Sequence, residues 1–192
     1  AIGASFAGVR ALAAMKHVGL NVAADSLMSQ TYIGVNGGLV IVVADDPGIH
    51  SSQNEQDSRV YGQFAMIPVL EPADAQEALE LTRCAFELSE RFDTPVIVRT
   101  TTRLSHTRST VELGTRQEIP PRGFVDNRAK NVMIPAHARP AHNALLERER
   151  RLKAFMREAP LNRMEMRDAR SASSPPAPAI RTCVRCFRAR AC

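Results

Sequence analysis

The sequence predicts an α/β domain, a parallel sheet with helices on both faces. Three observations carry that expectation. Leu39–Ala44 (LVIVVA) is short, β-branched and apolar throughout, the pattern of an inner strand covered on both sides. Two further strand-like runs, Ile67–Leu70 and Pro95–Val98, follow it, with helical patterns between them. Strands and helices alternating in this order imply a parallel sheet with its crossovers packed on its faces.

The elements follow in chain order. Ile2–Val9 reads as the end of a helix with its Ala and Phe residues toward a core. Arg10–Met15 (RALAAM) either continues that helix or forms a short strand, and its periodicity fits both. Asn21–Tyr32 reads as a helix with Val22, Ala23, Leu27 and Tyr32 on one apolar face, broken by Gly34 and Gly37–Gly38. Asp45-Asp46-Pro47-Gly48 puts a polar loop directly at the C-terminal end of the LVIVVA strand, where open α/β sheets bind ligands. Ile49–Arg59 (IHSSQNEQDSR) is polar almost throughout, and Val60–Ala65 reads as a short helix.

Asp74 with Glu77 three residues later matches a capping box. It opens a helix that runs to about Phe92, with Ala78, Leu81, Ala85, Leu88 and Phe92 at helical spacing. Pro95 cannot continue that helix. The strand from Pro95 passes into Thr100–Thr102 and the polar Arg103–Arg108, where Arg103, Ser105 and His106 face the same end of the sheet. Val111–Pro140 is irregular and proline-containing, an extended linker. Ala141–Arg157 is a charged helix striped by Leu145, Leu146, Leu152, Phe155 and Met156, with Arg148-Glu149-Arg150-Arg151 as a solvated face. The expected organisation is a domain over 1–110, a linker and connecting helix over 111–170, and a disordered tail over 171–192.

Composition narrows the function. Apolar residues make up 44% and charged residues 23%, ordinary for a soluble globular chain. The longest uncharged apolar stretch, Gly37 to Ala44, is far short of the ~20 residues a membrane-spanning helix needs. Ala1–Lys16 lacks the basic start and small-residue cleavage pattern of a secretory signal, so no membrane partner and a cytoplasmic location are expected. The net charge of +5 rests on residues 171–192, which hold four Arg and no acid and leave 21 basic against 20 acidic residues elsewhere. The body therefore gives no reason to expect nucleic acid as a partner. No G-x-G-x-x-G joins a strand to a helix, which disfavours a dinucleotide-binding domain. A non-catalytic α/β interaction or scaffold module remains the alternative reading.

Two candidate constellations stand out. Lys16-His17-Val18-Gly19-Leu20-Asn21 lies between a short strand and a helix as a glycine-containing turn. Gly19 permits close backbone approach to a ligand, and Asn21 reads equally as a helix cap or a ligand contact. His50, Ser51, Ser52, Gln53, Asn54 and Glu55, with Asp57, crowd hydrogen-bonding groups onto the loop after the LVIVVA strand. That loop reads as a pocket wall that orients a polar ligand, or as a solvated loop with Ser and Asn caps. His50 with Glu55 has neither the ligand count nor the spacing of a metal site, and no nucleophile–base arrangement is visible. Cys84 sits near the apolar face of its helix as an inert buried thiol.

After Arg170 the composition changes to SASSPPAPAIRTCVRCFRARAC. Cys183-x-x-Cys186 with Cys192 nearby has the spacing of half a metal site, but no His or fourth Cys completes it. With one admissible choice of codons and a start one base earlier, residues 171–187 read LGIVTSGASYPYVREVF. That string contains a strand, a glycine turn and a helix start, so a frameshift after Arg170 is expected.

Met15–Arg59 (MKHVGLNVAADSLMSQTYIGVNGGLVIVVADDPGIHSSQNEQDSR), Phe64–Ala78 (FAMIPVLEPADAQEA) and Phe92–Ser109 (FDTPVIVRTTTRLSHTRS) resemble the alpha subunit of indolepyruvate:ferredoxin oxidoreductases. These are thiamine-diphosphate-dependent 2-oxoacid:ferredoxin oxidoreductases. The resemblance covers about residues 1–170, with GLNVAAD and HSSQNEQD its most specific runs, and the shifted-frame string resembles the segment that follows in the family. It implies that 1–110 is most of the domain holding the cofactor's aminopyrimidine ring. It places the activating Glu upstream of Ala1, and the diphosphate- and Mg²⁺-binding and iron–sulfur domains beyond this chain. A fragment truncated at both ends, without a catalytic residue or metal site of its own and inactive alone, is therefore expected.

For the intact enzyme the resemblance implies oxidative decarboxylation of an aryl pyruvate such as indolepyruvate. Electrons pass through iron–sulfur clusters to ferredoxin, and coenzyme A takes the acyl group. The implied partners are a beta subunit, ferredoxin, a 2-oxo acid and coenzyme A. His17, Val18, Gly19, Leu20 and Asn21 become the implied cofactor-binding residues, Gly19 and Leu20 favoured among them. His50, Ser51, Ser52, Gln53, Asn54 and Glu55 become the implied substrate wall.

Overall fold

The computed structural model describes residues 1–159, Leu161 and the backbone of Cys183–Arg185. Its helices are α1 (Ile2–Phe6), α2 (His17–Val22), α3 (Ala24–Ile33), α4 (Arg59–Ala65), α5 (Ala75–Phe92), α6 (Thr102–Ser105), α7 (Arg128–Asn131) and α8 (Pro135–Glu158). Its strands are β1 (Ala11–Lys16), β2 (Leu39–Asp45), β3 (Val69–Glu71), β4 (Val96–Thr101) and β5 (Cys183–Arg185). All are parallel, in the order β1-β2-β4-β3-β5. Parallel pairing brings every strand's C-terminal end to one edge of the sheet, and the register aligns Lys16 with Ala44 and Asp45 with Thr101 there.

Alternation along the strands explains the two cores. Successive side chains on a strand point to opposite faces. Val40, Leu70, Val96 and Val98 meet Leu81, Ala85, Leu88 and Phe92 of α5 on one face. Ile41, Val43, Val69 and Ile97 meet Leu20, Leu27 and Ala65, from α2, α3 and α4, on the other. That is the expected parallel sheet with helices on both faces.

Helix α5 begins as its sequence indicates. The Glu77 amide donates to Asp74 Oδ1 at 2.9 Å, and Glu77 Oε2 accepts from the Ala73 amide at 2.8 Å, one residue before the cap. RALAAM resolves as strand β1, and the third strand is shifted to Val69–Glu71.

Several expectations need correction. Lys16–Asn21 is not a turn: Lys16 ends β1 and His17 starts α2 without an intervening loop. The expected Asn21–Tyr32 helix is two helices meeting at Ala23, so Asn21 lies inside α2 and caps nothing. Helix α8 starts at Pro135 rather than Ala141. Proline is tolerated at a first helical position, where its missing N–H would have no partner, and the helix also carries Pro140 inside.

Arg148 is not solvated. It is buried and donates to the Thr31 carbonyl at 2.6 Å, and burial pushes its guanidinium below its ordinary pKa. Leu152 and Met156 of α8 join the α5 cluster. The connector is tied down as well: the Arg122 amide donates to the Gly8 carbonyl at 3.0 Å and Lys130 Nζ to Asp93 Oδ1 at 2.8 Å. Within 171–192 the described residues form strand β5, beside β3; the rest of that stretch, with the frameshift reading and Cys186 and Cys192, lies outside the described residues.

One close approach fixes the start of the sheet. A Cβ at Gly37 would meet the backbone of Val9, which no side-chain rotation relieves. Gly37→Ala is therefore expected to cost about 1–3 kcal/mol, read as a lowered midpoint of urea unfolding.

Candidate functional site

The C-terminal edge of β1, β2 and β4 gathers both sequence constellations. Lys16 Nζ donates to the Ser51 carbonyl at 3.0 Å, and Asn21 Nδ2 donates to Gln56 Oε1 at 2.9 Å. The Tyr61 hydroxyl donates to Asn21 Oδ1 at 2.7 Å, joining α2 to α4. The start of α2 and the loop after β2 thus share one face of the domain.

The α2 residues divide by environment. His17 is 1% exposed, and neither ring nitrogen has a hydrogen-bond partner. Among the described residues the Thr94 hydroxyl is the other buried side-chain group without one. Leu20 is fully buried in the core with Leu27, Ile41 and Val43. Val18 and Asn21 are exposed. A Cβ at Gly19 would stand 3.0 Å from Met15 Cβ, so a glycine here lets α2 start directly on the end of its own strand.

The loop between β2 and α4 is held from beneath by two buried aspartates. Asp46 accepts from the amides of His50 (3.1 Å) and Ser51 (2.7 Å) and from the hydroxyls of Ser52 and Thr102 (both 2.7 Å). These bonds, the Thr102 hydroxyl's foremost, hold its carboxyl far below the usual range. Asp45 accepts from the Ser58 amide and hydroxyl and from Arg99 Nε. Arg99 also bonds Glu71 and lies 3.8 Å from Asp57. Burial opposes the charge on Arg99, and Asp45 and Glu71 outweigh it, so its pKa is raised. Arg59 pairs with Asp57 and holds that carboxyl low.

His50, Ser51, Gln53, Asn54 and Glu55 are exposed on this loop, and Ser52 is half-buried. Within it, the Gly48 amide donates to Glu55 Oε2 at 3.0 Å and Gln56 Nε2 to Asn54 Oδ1 at 2.7 Å. Thr102 lies at the site through Asp46. Arg99, Ser58, Gln56 and Tyr61 also belong to the site, without a motif that marks them in the sequence. For Arg99 a signal existed: a cation inside the apolar run VIVRTT needs a buried anion, and Asp45 ends an equally apolar run. Among the described residues no three His, Cys, Asp or Glu side chains are grouped to hold a metal ion.

The family model for pyruvate flavodoxin/ferredoxin oxidoreductases, the thiamine-diphosphate-binding part, matches residues 1–180. The chain belongs to that family. It is 51% identical over 171 residues to the indolepyruvate oxidoreductase subunit IorA of Pyrococcus abyssi, covering 86% of this chain and 26% of that protein. It is 49% identical over 165 residues to the IorA subunit of Methanothermobacter thermautotrophicus, covering 85% and 27%. The chain thus spans about a quarter of the length of these relatives.

Among solved structures it is similar to 2-oxoglutarate:ferredoxin oxidoreductase from Magnetococcus marinus, a structure with 2-oxoglutarate, coenzyme A and succinyl-CoA bound. That match has a TM-score of 0.53 at 16% identity and covers 80% of this chain and 35% of that one; it shows the shared fold. His17 follows directly on the C-terminal end of β1, and its buried imidazole is left without a partner there.

Proposed function

We propose that this chain forms the aminopyrimidine-holding wall of an indolepyruvate:ferredoxin oxidoreductase. The observation that carries the reading is His17: a buried imidazole with both nitrogens unpaired, at the sheet edge where α/β folds take ligands. A buried polar group left without a partner costs about 1–3 kcal/mol, and a hydrogen-bonding ligand removes that cost. His17 and the backbone around Gly19 would meet the cofactor, with Val18, Leu20 and Asn21 fixing the start of α2. His50, Ser51, Ser52, Gln53, Asn54 and Glu55 would face the 2-oxo acid.

Bound thiamine diphosphate supplies the decarboxylation chemistry, and the protein supplies placement and electrostatics. The residues here orient ligands rather than transfer protons. The activating carboxylate, Mg²⁺ and the iron–sulfur clusters of the reading belong to other parts of the enzyme. A beta subunit, ferredoxin, an aryl pyruvate and coenzyme A are the proposed partners, in the cytoplasm.

A titration tests the reading. Millimolar thiamine diphosphate added to ¹⁵N-histidine-labelled protein is expected to shift the His17 ring signals, assigned through His17→Gln, while inorganic diphosphate leaves them in place. Ring signals unmoved by thiamine diphosphate would remove the reading.

A further inference from the structure

We infer that Asp46 and Thr102 are a positioning pair that fixes the backbone of residues 50–52. The inference rests on the reading of the 50–55 loop as a ligand wall, and it concerns what makes that wall a single shape.

Two neighbouring aspartates end β2, and each fastens a different part of the loop. Asp45 holds its exit, through the Ser58 amide and hydroxyl. Asp46 holds its first half. Its Oδ1 takes the His50 amide and the Thr102 hydroxyl, and its Oδ2 takes the Ser51 amide and the Ser52 hydroxyl. An ionised carboxylate offers about four acceptor sites, and here four donors fill them. Asp46 itself is 1% exposed. The result is a buried anion with every lone pair used, beneath side chains that stand in solvent.

That contrast points to a role beyond holding the fold. A loop that needed only to connect β2 to α4 could leave its amides to water, as most surface connections do. This one spends a buried charge on two consecutive amides. Thr102 adds a second element to the clasp, since it opens α6 at the end of β4. Pre-ordering the loop removes the conformational entropy that a ligand would otherwise have to supply on binding. Asp46 and Thr102 touch no ligand in this arrangement; they act through His50, Ser51 and Ser52.

The hydrogen bond and the packing of Thr102 can be separated. Thr102→Val keeps the shape and removes the donor, whereas Thr102→Ser keeps the donor and removes a methyl. Amide hydrogen exchange of the 192-residue chain, resolved at residues 50–52, reads the loop directly. Thr102→Val is expected to speed exchange at His50 and Ser51 by about threefold or more, with Thr102→Ser close to wild type. Asp46→Asn leaves one of the two amides without its acceptor and is expected to speed exchange there at least tenfold. The thermal midpoint of each variant, measured alongside, identifies global unfolding. If Asp46→Asn does not fold, the Thr102 pair decides the matter.

Exchange unchanged in Thr102→Val, or raised equally in Thr102→Ser, would overturn the inference. If wild-type exchange is slow and the variants behave as expected, yet thiamine diphosphate and indole-3-pyruvate shift no signal of residues 17–21 or 50–55, the clasp stands and the pocket reading fails.

Discussion

Arg99→Met is expected to lower the unfolding free energy by about 3–5 kcal/mol, the range found when one partner of a buried ion pair is removed. Arg99 stands on β4 between strands on both sides, with its side chain 7% exposed, and its guanidinium serves Asp45 and Glu71 at once. Methionine matches the length of the side chain and none of its donors. Asp45, whose side chain is fully buried, would among the described residues keep only the Ser58 amide and hydroxyl, with no cation in contact with its charge. Glu71 is better placed, since Arg59 lies 3.9 Å from its other oxygen.

Two companions sharpen the expectation. Arg99→Lys keeps a charge but not the planar fork that bonds two carboxylates at fixed angles, so an intermediate loss is expected. Asp45→Asn combined with Arg99→Met removes the stranded anion and is expected to recover a large part of the single-variant loss, although Ser58 and with it the end of the loop is held less firmly. Urea unfolding followed by circular dichroism measures all three. A single variant within about 0.5 kcal/mol of wild type, the scatter of surface substitutions, would show that water or other groups already carry the charge on Asp45.

The same pair shows which parts of this molecule could be read from sequence. LVIVVA announced an inner strand because a run apolar on both faces has one good environment, and the two clusters on either side of Val40 and Ile41 are that environment. Asp74 and Glu77 announced a helix start because the bonds are local in sequence. The Asp45–Arg99 pair spans 54 residues, and nothing local says which cation answers which anion. The bonds of Asp46 to His50, Ser51 and Ser52 are local, but they are made to two amides and a hydroxyl, and amides leave no trace in residue identity.

The start of helix α8 is hidden from the sequence for a related reason. Two prolines in PAHARPAH argue for an extended chain, and burial of Leu145, Arg148, Leu152 and Met156 farther along anchors the helix against that preference. The placement of Lys16–Asn21 beside the 46–58 loop was legible because a parallel sheet puts all its strand ends on one edge. The helical form of His17–Val22 was not, because Gly19 and Asn21 signal turns as readily as the packing of Gly19 on Met15.

That helix is where the second large effect is expected. Leu20→Ala should cost about 2–5 kcal/mol, the range for truncating a fully buried leucine. Leu20 has no exposed surface and lies in the cluster that β2, β3 and β4 share with α3 and α4. Helix α2 has six residues and no side-chain cap, too short to persist without tertiary packing. Its other buried residue, His17, contributes two unpaired nitrogens rather than hydrogen bonds. Leu20 is therefore the apolar anchor of α2, beside the hydrogen bonds that Asn21 makes with Tyr61 and Gln56.

Leu20→Met, which conserves volume, should cost less than about 1.5 kcal/mol, and the gap between the two variants isolates packing from any effect on ligand contact. Thermal and urea unfolding without ligand give the stability difference, and thiamine diphosphate titration of Leu20→Met shows whether the anchored helix still responds. A Leu20→Ala protein as stable as wild type would show that packing of Leu20 does not anchor α2.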